Sequence, residues 1–183
     1  MREEEGEYPD HLWSYDFLMD RTEEGSALKI LPVADEYTRE CLAIEVRRSM
    51  RAKDVVGTME RLFWERGEPE FARSDNGPEF IAGAVKSWLR NCGVETLYIE
   101  PDSPWENVYS ETFQQPSGGR TIGPGVSTSL MEAKVLMQEH RHHYNPRRPH
   151  SALGYPTPRR SWRRVLGRWP GARSSPTKRE RKV

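Results

Sequence analysis

Between residues 11 and 20 the aromatic residues recur with a period of two, and beyond residue 52 the apolar spacing lengthens to that of a helix. This switch constrains the fold more than any other feature of the chain. In His11–Asp20 (HLWSYDFLMD), Leu12, Ser14, Asp16 and Leu18 share one face, and Trp13, Tyr15, Phe17 and Met19 share the other. The run therefore reads as one aromatic-rich strand with a well-buried face and with Asp16 inside it. Ala27–Ala34 and Cys41–Arg47 read as two more strands, the first with Pro32 at an edge or bulge. The short polar turns between them predict an antiparallel meander. Next, Val55, Val56, Met59, Leu62 and Phe63 line one side of a helix closed by Gly67 and Pro69. Phe71–Asp75 is a short strand, followed by an Asn76-Gly77-Pro78 turn. The helix after it presents Phe80, Ala84, Val85, Trp88 and Leu89, with Gly93 as its C-cap. Val94–Ile99 is the fifth strand. Glu106–Phe113 starts another helix, and Leu130–Tyr144 forms the last one, ended by Pro146. This order predicts an α/β fold with a mixed five-stranded sheet.

Three function classes are excluded early. No apolar run approaches the roughly 18 residues of a membrane span, so no membrane partner is expected. The acidic start, MREEEGEYPD, has no apolar stretch of the kind a signal peptide needs. Two cysteines, Cys41 and Cys92, are too few for a disulfide scaffold and fit a reducing compartment. The net charge of +0 conceals an asymmetry. Residues 1–139 hold 15 Lys+Arg and 27 Asp+Glu, for a net of −12, while residues 140–183 hold 13 Lys+Arg and only Glu180, for +12. An acidic body with a basic end points to a polyanion as partner or to a solvated tail.

The acids at predicted strand ends are the chemical candidates. A half-buried Asp16 among aromatics is costly unless it is paired or holds a cation. Asp75 closes the fourth strand at a sharp turn, and Glu111 lies in the helix after the fifth. Three carboxylates without thiolate or imidazole make a hard, oxygen-rich set suited to Mg²⁺ or Mn²⁺. Asp75 as a turn former and Glu111 as a solvated helix residue are the ordinary alternatives. Near the end of the last helix, His140 and His143 share a face, but no Cys-x-x-Cys accompanies them, and a polar helix end accounts for them better than zinc.

Four stretches then resemble a known family. Trp13-Ser-Tyr-Asp16, Arg73-Ser-Asp-Asn-Gly-Pro-Glu-Phe80, Ser103-Pro-Trp-Glu-Asn-Val-Tyr-Ser-Glu-Thr-Phe113 and Arg148-Pro-His-Ser-Ala-Leu-Gly-Tyr155 are similar, in order, to motifs of bacterial insertion-sequence transposases with a retroviral-integrase-like catalytic core. That family carries two Asp and a Glu, with 35 residues between the second Asp and the Glu, and 35 residues separate Asp75 from Glu111 here. The resemblance covers about residues 8–155 and implies a ribonuclease-H-like sheet flanked by helices. It implies a polynucleotidyl transferase in which Asp16, Asp75 and Glu111 are both catalytic and metal-binding, with two Mg²⁺ or Mn²⁺ ions when DNA is bound. It assigns support of the site to Asn76, Gly77 and Glu79, and DNA contact to Arg147, Arg148 and His150. Asp20, Asp35, Glu100, Asp102 and Glu106 are decoys by position. The implied partners are DNA, as element ends and as target, and further copies of the chain in an oligomer on DNA. The implied location is the bacterial cytoplasm, beside the nucleoid.

The chain also departs from that family. The family carries a helix-turn-helix region before its core; here the core begins at His11, so a truncated chain is expected, with that region missing or on another chain. After Phe113 a charged helix is expected, but residues 114–128 read QQPSGGRTIGPGVST. Gln-Gln-Pro encoded as CAA-CAG-CCN and read one base later gives the Asn-Ser that the family has there. A pair of compensating frameshifts and an inserted Gly-Pro loop are the two explanations. Because Gly costs about 1 kcal/mol and Pro about 3 kcal/mol in a helix interior, the helix bearing Glu111 is expected to stop near Gln115 and to hold that carboxylate loosely. The expected organisation is a frayed N-terminus (1–10), a catalytic core (11–145, with 114–128 anomalous) and a basic, largely disordered tail (146–183). The alternative to an active core is a catalytically inactive remnant that only binds DNA or a full-length transposase.

Overall fold

The aromatic-rich run does not form a single strand. It breaks into β1 (Leu12–Tyr15) and β2 (Leu18–Arg21), both antiparallel to β3 (Ala27–Asp35). Tyr15 lies opposite Val33 and Leu18 opposite Ile30. The two strands thus share one register along β3, and Asp16 and Phe17 fall at the rows of Pro32 and Leu31. Pro32 has no N–H to give, so the ladder opens there. The sheet has six strands rather than the expected five, because two of them are collinear halves of one predicted strand. The structure is a computed structural model and describes residues 6–74, 79–98, 127–147 and 157; for Glu79–Ala82, Tyr98 and Arg147 it describes the backbone.

The remaining strands follow the expected order. β4 (Cys41–Arg47) pairs antiparallel with β3 on its outer side, β5 (Phe71–Ser74) pairs parallel with β1, and β6 (Glu95–Tyr98) pairs parallel with β5. Helices α1 (Ala52–Arg66) and α2 (Glu79–Asn91) cover one face, and α3 (Leu130–Arg147) covers the other. With both faces covered, β3 and β4 read as nearly continuous apolar runs. Trp13, Tyr15, Leu31, Val33 and Leu42 pack under Val55, Met59 and Leu62 of α1 and Val85 and Leu89 of α2. Leu28, Ile30, Ile44 and Val46 pack under Ala133, Met137 and Tyr144 of α3. Ala84, expected on the buried face of α2, is exposed. Gly93 ends α2 with a φ of +84°, the left-handed C-cap the sequence predicts.

Two described segments differ from expectation. Residues 6–10 are tied down rather than frayed. The Tyr8 hydroxyl donates to Glu70 at 2.9 Å, and Asp10 accepts from the Arg66 guanidinium at 2.9 Å and from the Trp13 indole N–H at 3.0 Å. Helix α3 runs through Pro146 to Arg147 instead of stopping before the proline. The last turn is held from outside. Tyr144 is buried against β4, while the Asn145 amide accepts from the Cys41 N–H at 2.9 Å and donates to the Cys41 carbonyl at 3.1 Å. This two-pronged contact docks α3 on the edge of the sheet. Asn145→Ala leaves both backbone groups of Cys41 without that partner, so we expect a loss of about 1–3 kcal/mol in urea unfolding; an unchanged midpoint would show that water replaces the contact.

Candidate active site

Asp16 sits at the carboxyl end of β1, in the break opposite Pro32, rather than inside a strand. Its side chain is half-buried, and its Oδ1 accepts the Phe17 N–H at 2.6 Å. The break has a chemical consequence: it puts a partly exposed carboxylate at a strand end instead of within the ladder. β1 and β5 are adjacent and parallel, with Tyr15 paired to Ser74. Their carboxyl ends, and that of β6, therefore open on one side of the sheet, where α/β sheets place their ligands.

The other predicted site residues divide into two sets. Asp75, Glu111, Asn76, Gly77, Arg148 and His150 lie outside the described residues, as do Glu100, Asp102 and Glu106. Glu79 opens α2 and Arg147 ends α3, and the backbone alone is described for both. Among the described residues no group of three or more His, Cys, Asp or Glu is placed to hold a metal ion. His140 is buried beside Tyr144, with ring centroids 6.1 Å apart, whereas His143 is exposed. No helix of the described residues is long and apolar enough to cross a membrane.

Asp20 lies in β2, and its carboxylate accepts the N–H of Arg21 at 2.7 Å. Asp35 is more informative. It lies opposite Trp13, toward the far end of β1 from Asp16, and is fully buried. It accepts from the Thr38 hydroxyl and N–H and from the N–H groups of Tyr37 and Asp10. It therefore organises the β3–β4 turn and takes no part in the candidate site. The Asp-x-x-Thr spacing, an Asx-turn pattern, is the sequence signal for this role.

Burial pushes the Asp35 carboxyl up from 3.8 to about 6; the Thr38 hydroxyl opposes the rise and the nearby Asp10 charge adds to it. Between those values the folded chain keeps a proton that the unfolded chain has released. Stability therefore falls as pH rises from about 4 to 6. Asp35→Asn has no such proton. The stability of the parent relative to this variant should be greater at pH 4 than at pH 7, by on the order of 2–3 kcal/mol; a pH-independent difference would refute the assignment.

The sheet order, the strand directions and the flanking helices define a ribonuclease-H-like fold. The chain belongs to the integrase core domain family, which matches residues 6–104, and a second integrase core domain family matches residues 92–158.

Its relatives come from insertion elements. It is 36% identical over 146 residues to the insertion element IS476 uncharacterized 39.2 kDa protein of Xanthomonas euvesicatoria, covering 80% of this chain and 42% of that one. It is 34% identical over 150 residues to the insertion element IS407 uncharacterized 31.7 kDa protein of Burkholderia multivorans, covering 82% and 54%. It is 29% identical over 154 residues to the transposase InsD for insertion element IS2A/D/F/H/I/K of Escherichia coli, covering 80% and 51%. The chain thus spans about half the length of these relatives. Among solved structures, the HTLV-2 integrase catalytic core domain in complex with magnesium superposes with a TM-score of 0.58 at 11% identity, over 85% of this chain and 97% of that one. A chain of the simian T-cell lymphotropic virus intasome in complex with PP2A regulatory subunit B56 gamma gives 0.62 at 11% identity, over 98% and 62%. At that identity the likeness is one of fold.

Proposed function

We propose that this chain supplies the catalytic core for DNA strand cleavage and strand transfer in the transposition of an insertion sequence. The observation that carries this function is the parallel pairing of Tyr15 with Ser74. One residue beyond each in the sequence comes an aspartate, Asp16 and Asp75. Two acids following neighbouring parallel strands, with Glu111 as the third, form the hard donor set that suits Mg²⁺ or Mn²⁺. Bound there, two such ions would stabilise charge on the oxygens of an in-line phosphoryl displacement. The Phe17 N–H orients the Asp16 carboxylate without neutralising it.

The reaction needs neither ATP nor a covalent protein intermediate. Water cuts one strand and leaves a 3′-hydroxyl; that hydroxyl then attacks the phosphorus of a target phosphodiester and displaces the target strand's 3′-oxygen, which takes up a proton, so one P–O bond forms for each one broken. In this reading Asn76, Gly77 and Glu79 support the site. Arg147, Arg148 and His150 hold DNA phosphates, which Arg can grip with two donors. The partners are element ends, target DNA and further copies of the chain, in the cytoplasm beside the nucleoid.

The test is a Mg²⁺-dependent cleavage and joining assay on the element's own terminal repeats. Cleavage with joining supports the proposal, and cleavage without joining would make the chain a nuclease of the same fold. Failure of both with DNA binding retained favours a second function, an inactive remnant that binds DNA or a full-length transposase. The Gly and Pro residues that follow Glu111 at 116–125 are the observation behind this second function.

A further inference from the structure

The exposed corner between β4 and α1 carries charge that local structure disfavours. Residues 47–53 read RRSMRAK, four cations in seven residues, inside a 1–139 stretch whose net charge is −12. Arg47, Arg48, Arg51 and Lys53 are exposed, while Met50 between them is buried and anchors the corner to the core. Arg47 lies directly opposite Lys29 across the β3–β4 ladder, and like charges in that position repel. Arg51 and Lys53 flank the amino end of α1, where the helix dipole already disfavours cations. Asp54 offsets part of this, pairing with Arg47 at 3.2 Å and accepting the Arg51 N–H at 2.9 Å. The charges of Arg48, Arg51 and Lys53 go beyond what that single carboxylate can balance. Natural sequences accept such local conflict mainly where a function requires it.

The topology turns this corner toward the candidate active site. β3 is antiparallel to both β1 and β4, so β4 ends on the side of the sheet where β1 and β5 end. Lys29 and Arg47 share a row with Met19, three residues beyond the row of Asp16. Standard strand spacings put the Arg47 backbone roughly 14 Å from that of Asp16. That distance is about four base pairs of duplex.

We propose that Arg48, Arg51 and Lys53, with Arg47 as their anchored neighbour, bind the phosphate backbone of duplex DNA and hold it across the Asp16 end of the sheet. This surface is separate from Arg147, Arg148 and His150, and it rests on the proposal that the chain acts on DNA. The test is fluorescence anisotropy of the full chain with a 30-base-pair duplex of arbitrary sequence, across a salt series. Removing one phosphate-neutralising cation lowers the slope of log K against log salt by about 0.9. The triple variant Arg48→Ala/Arg51→Ala/Lys53→Ala should therefore show a slope smaller by about 2–3 and bind roughly tenfold or more weakly near 0.15 M salt. Arg47 is kept, to preserve its pair with Asp54. Arg90→Ala, at the opposite end of the sheet, should change the slope by less than about 1. Matching thermal midpoints would show that the variants fold. An unchanged slope in the triple variant, with the parent chain binding duplex, would overturn this surface and leave the DNA proposal standing. A parent chain that binds no duplex at low salt would overturn both. Loss of binding to phosphatidylserine vesicles without loss of duplex binding would overturn it in favour of a lipid headgroup surface.

Discussion

Asp16→Asn should abolish metal-dependent strand cleavage and joining while leaving the fold intact. The substitution keeps a carbonyl oxygen that can accept the Phe17 N–H, so the break between β1 and β2 retains its local hydrogen bond. It removes the negative charge that would hold a divalent ion. A bound metal supplies several kcal/mol of transition-state charge stabilisation, and roughly 1.4 kcal/mol corresponds to tenfold in rate. The expected loss is on the order of 10³-fold or more, with little change in duplex affinity or thermal midpoint. Asp75→Asn and Glu111→Gln should behave alike if the three acids act as one site. Strand transfer retained in either Asp variant would refute the assignment. The assay should be run with Mg²⁺ and with Mn²⁺, since the carboxylate set suits both.

Trp13→Ala should be the most damaging single change to stability. Trp13 is fully buried on the central strand β1, with its ring centroid 5.7 Å from that of Phe63 on α1. Its indole N–H donates to Asp10, which is also gripped by Arg66 from the end of α1. Truncation removes the ring from the junction between sheet and helices and takes a donor from the carboxylate that ties down the N-terminal segment. Aromatic-to-alanine changes in cores cost about 3–5 kcal/mol, a large share of the 5–15 kcal/mol that typically holds a domain together. The thermal midpoint should fall by roughly 10 °C. A drop of less than about 2 °C would mean that the site collapses around the smaller side chain. Trp13→Phe should recover part of the loss, because it restores one aromatic ring but forgoes the hydrogen bond and part of the buried volume.

The residues that could be read in advance were those whose role depends on their near neighbours in sequence. Apolar runs bounded by polar turns located β3 and β4, and helical spacing located α1 with the residues it buries, and α3 as far as Tyr144. Gly93 declared its C-cap because few other residues tolerate a positive φ. The split between β1 and β2 was hidden, since the residue that opens the ladder, Pro32, belongs to a different strand. Pro146 was misread for a similar reason. Its cost to the helix is local, but the Asn145 contact with Cys41 that holds the last turn comes from the far side of the chain. Asp35 looked like an ordinary turn residue, and its burial became apparent only when Asp10, Thr38 and the sheet closed around it.

From its order of residues alone, this chain declares a strand meander leading into alternating helices and strands, three carboxylates in a spaced series, and two regions of opposite charge. These are properties of period, spacing and composition, which covalent order fixes. Which residues become neighbours depends on pairing between distant segments, and that required the folded sheet. The fold set Asp16 in a break at a strand end, ran β5 parallel beside β1, and turned the β4–α1 corner toward the same side. Strand direction and register arise from long-range hydrogen bonding and burial, and no local stretch of sequence encodes them by itself.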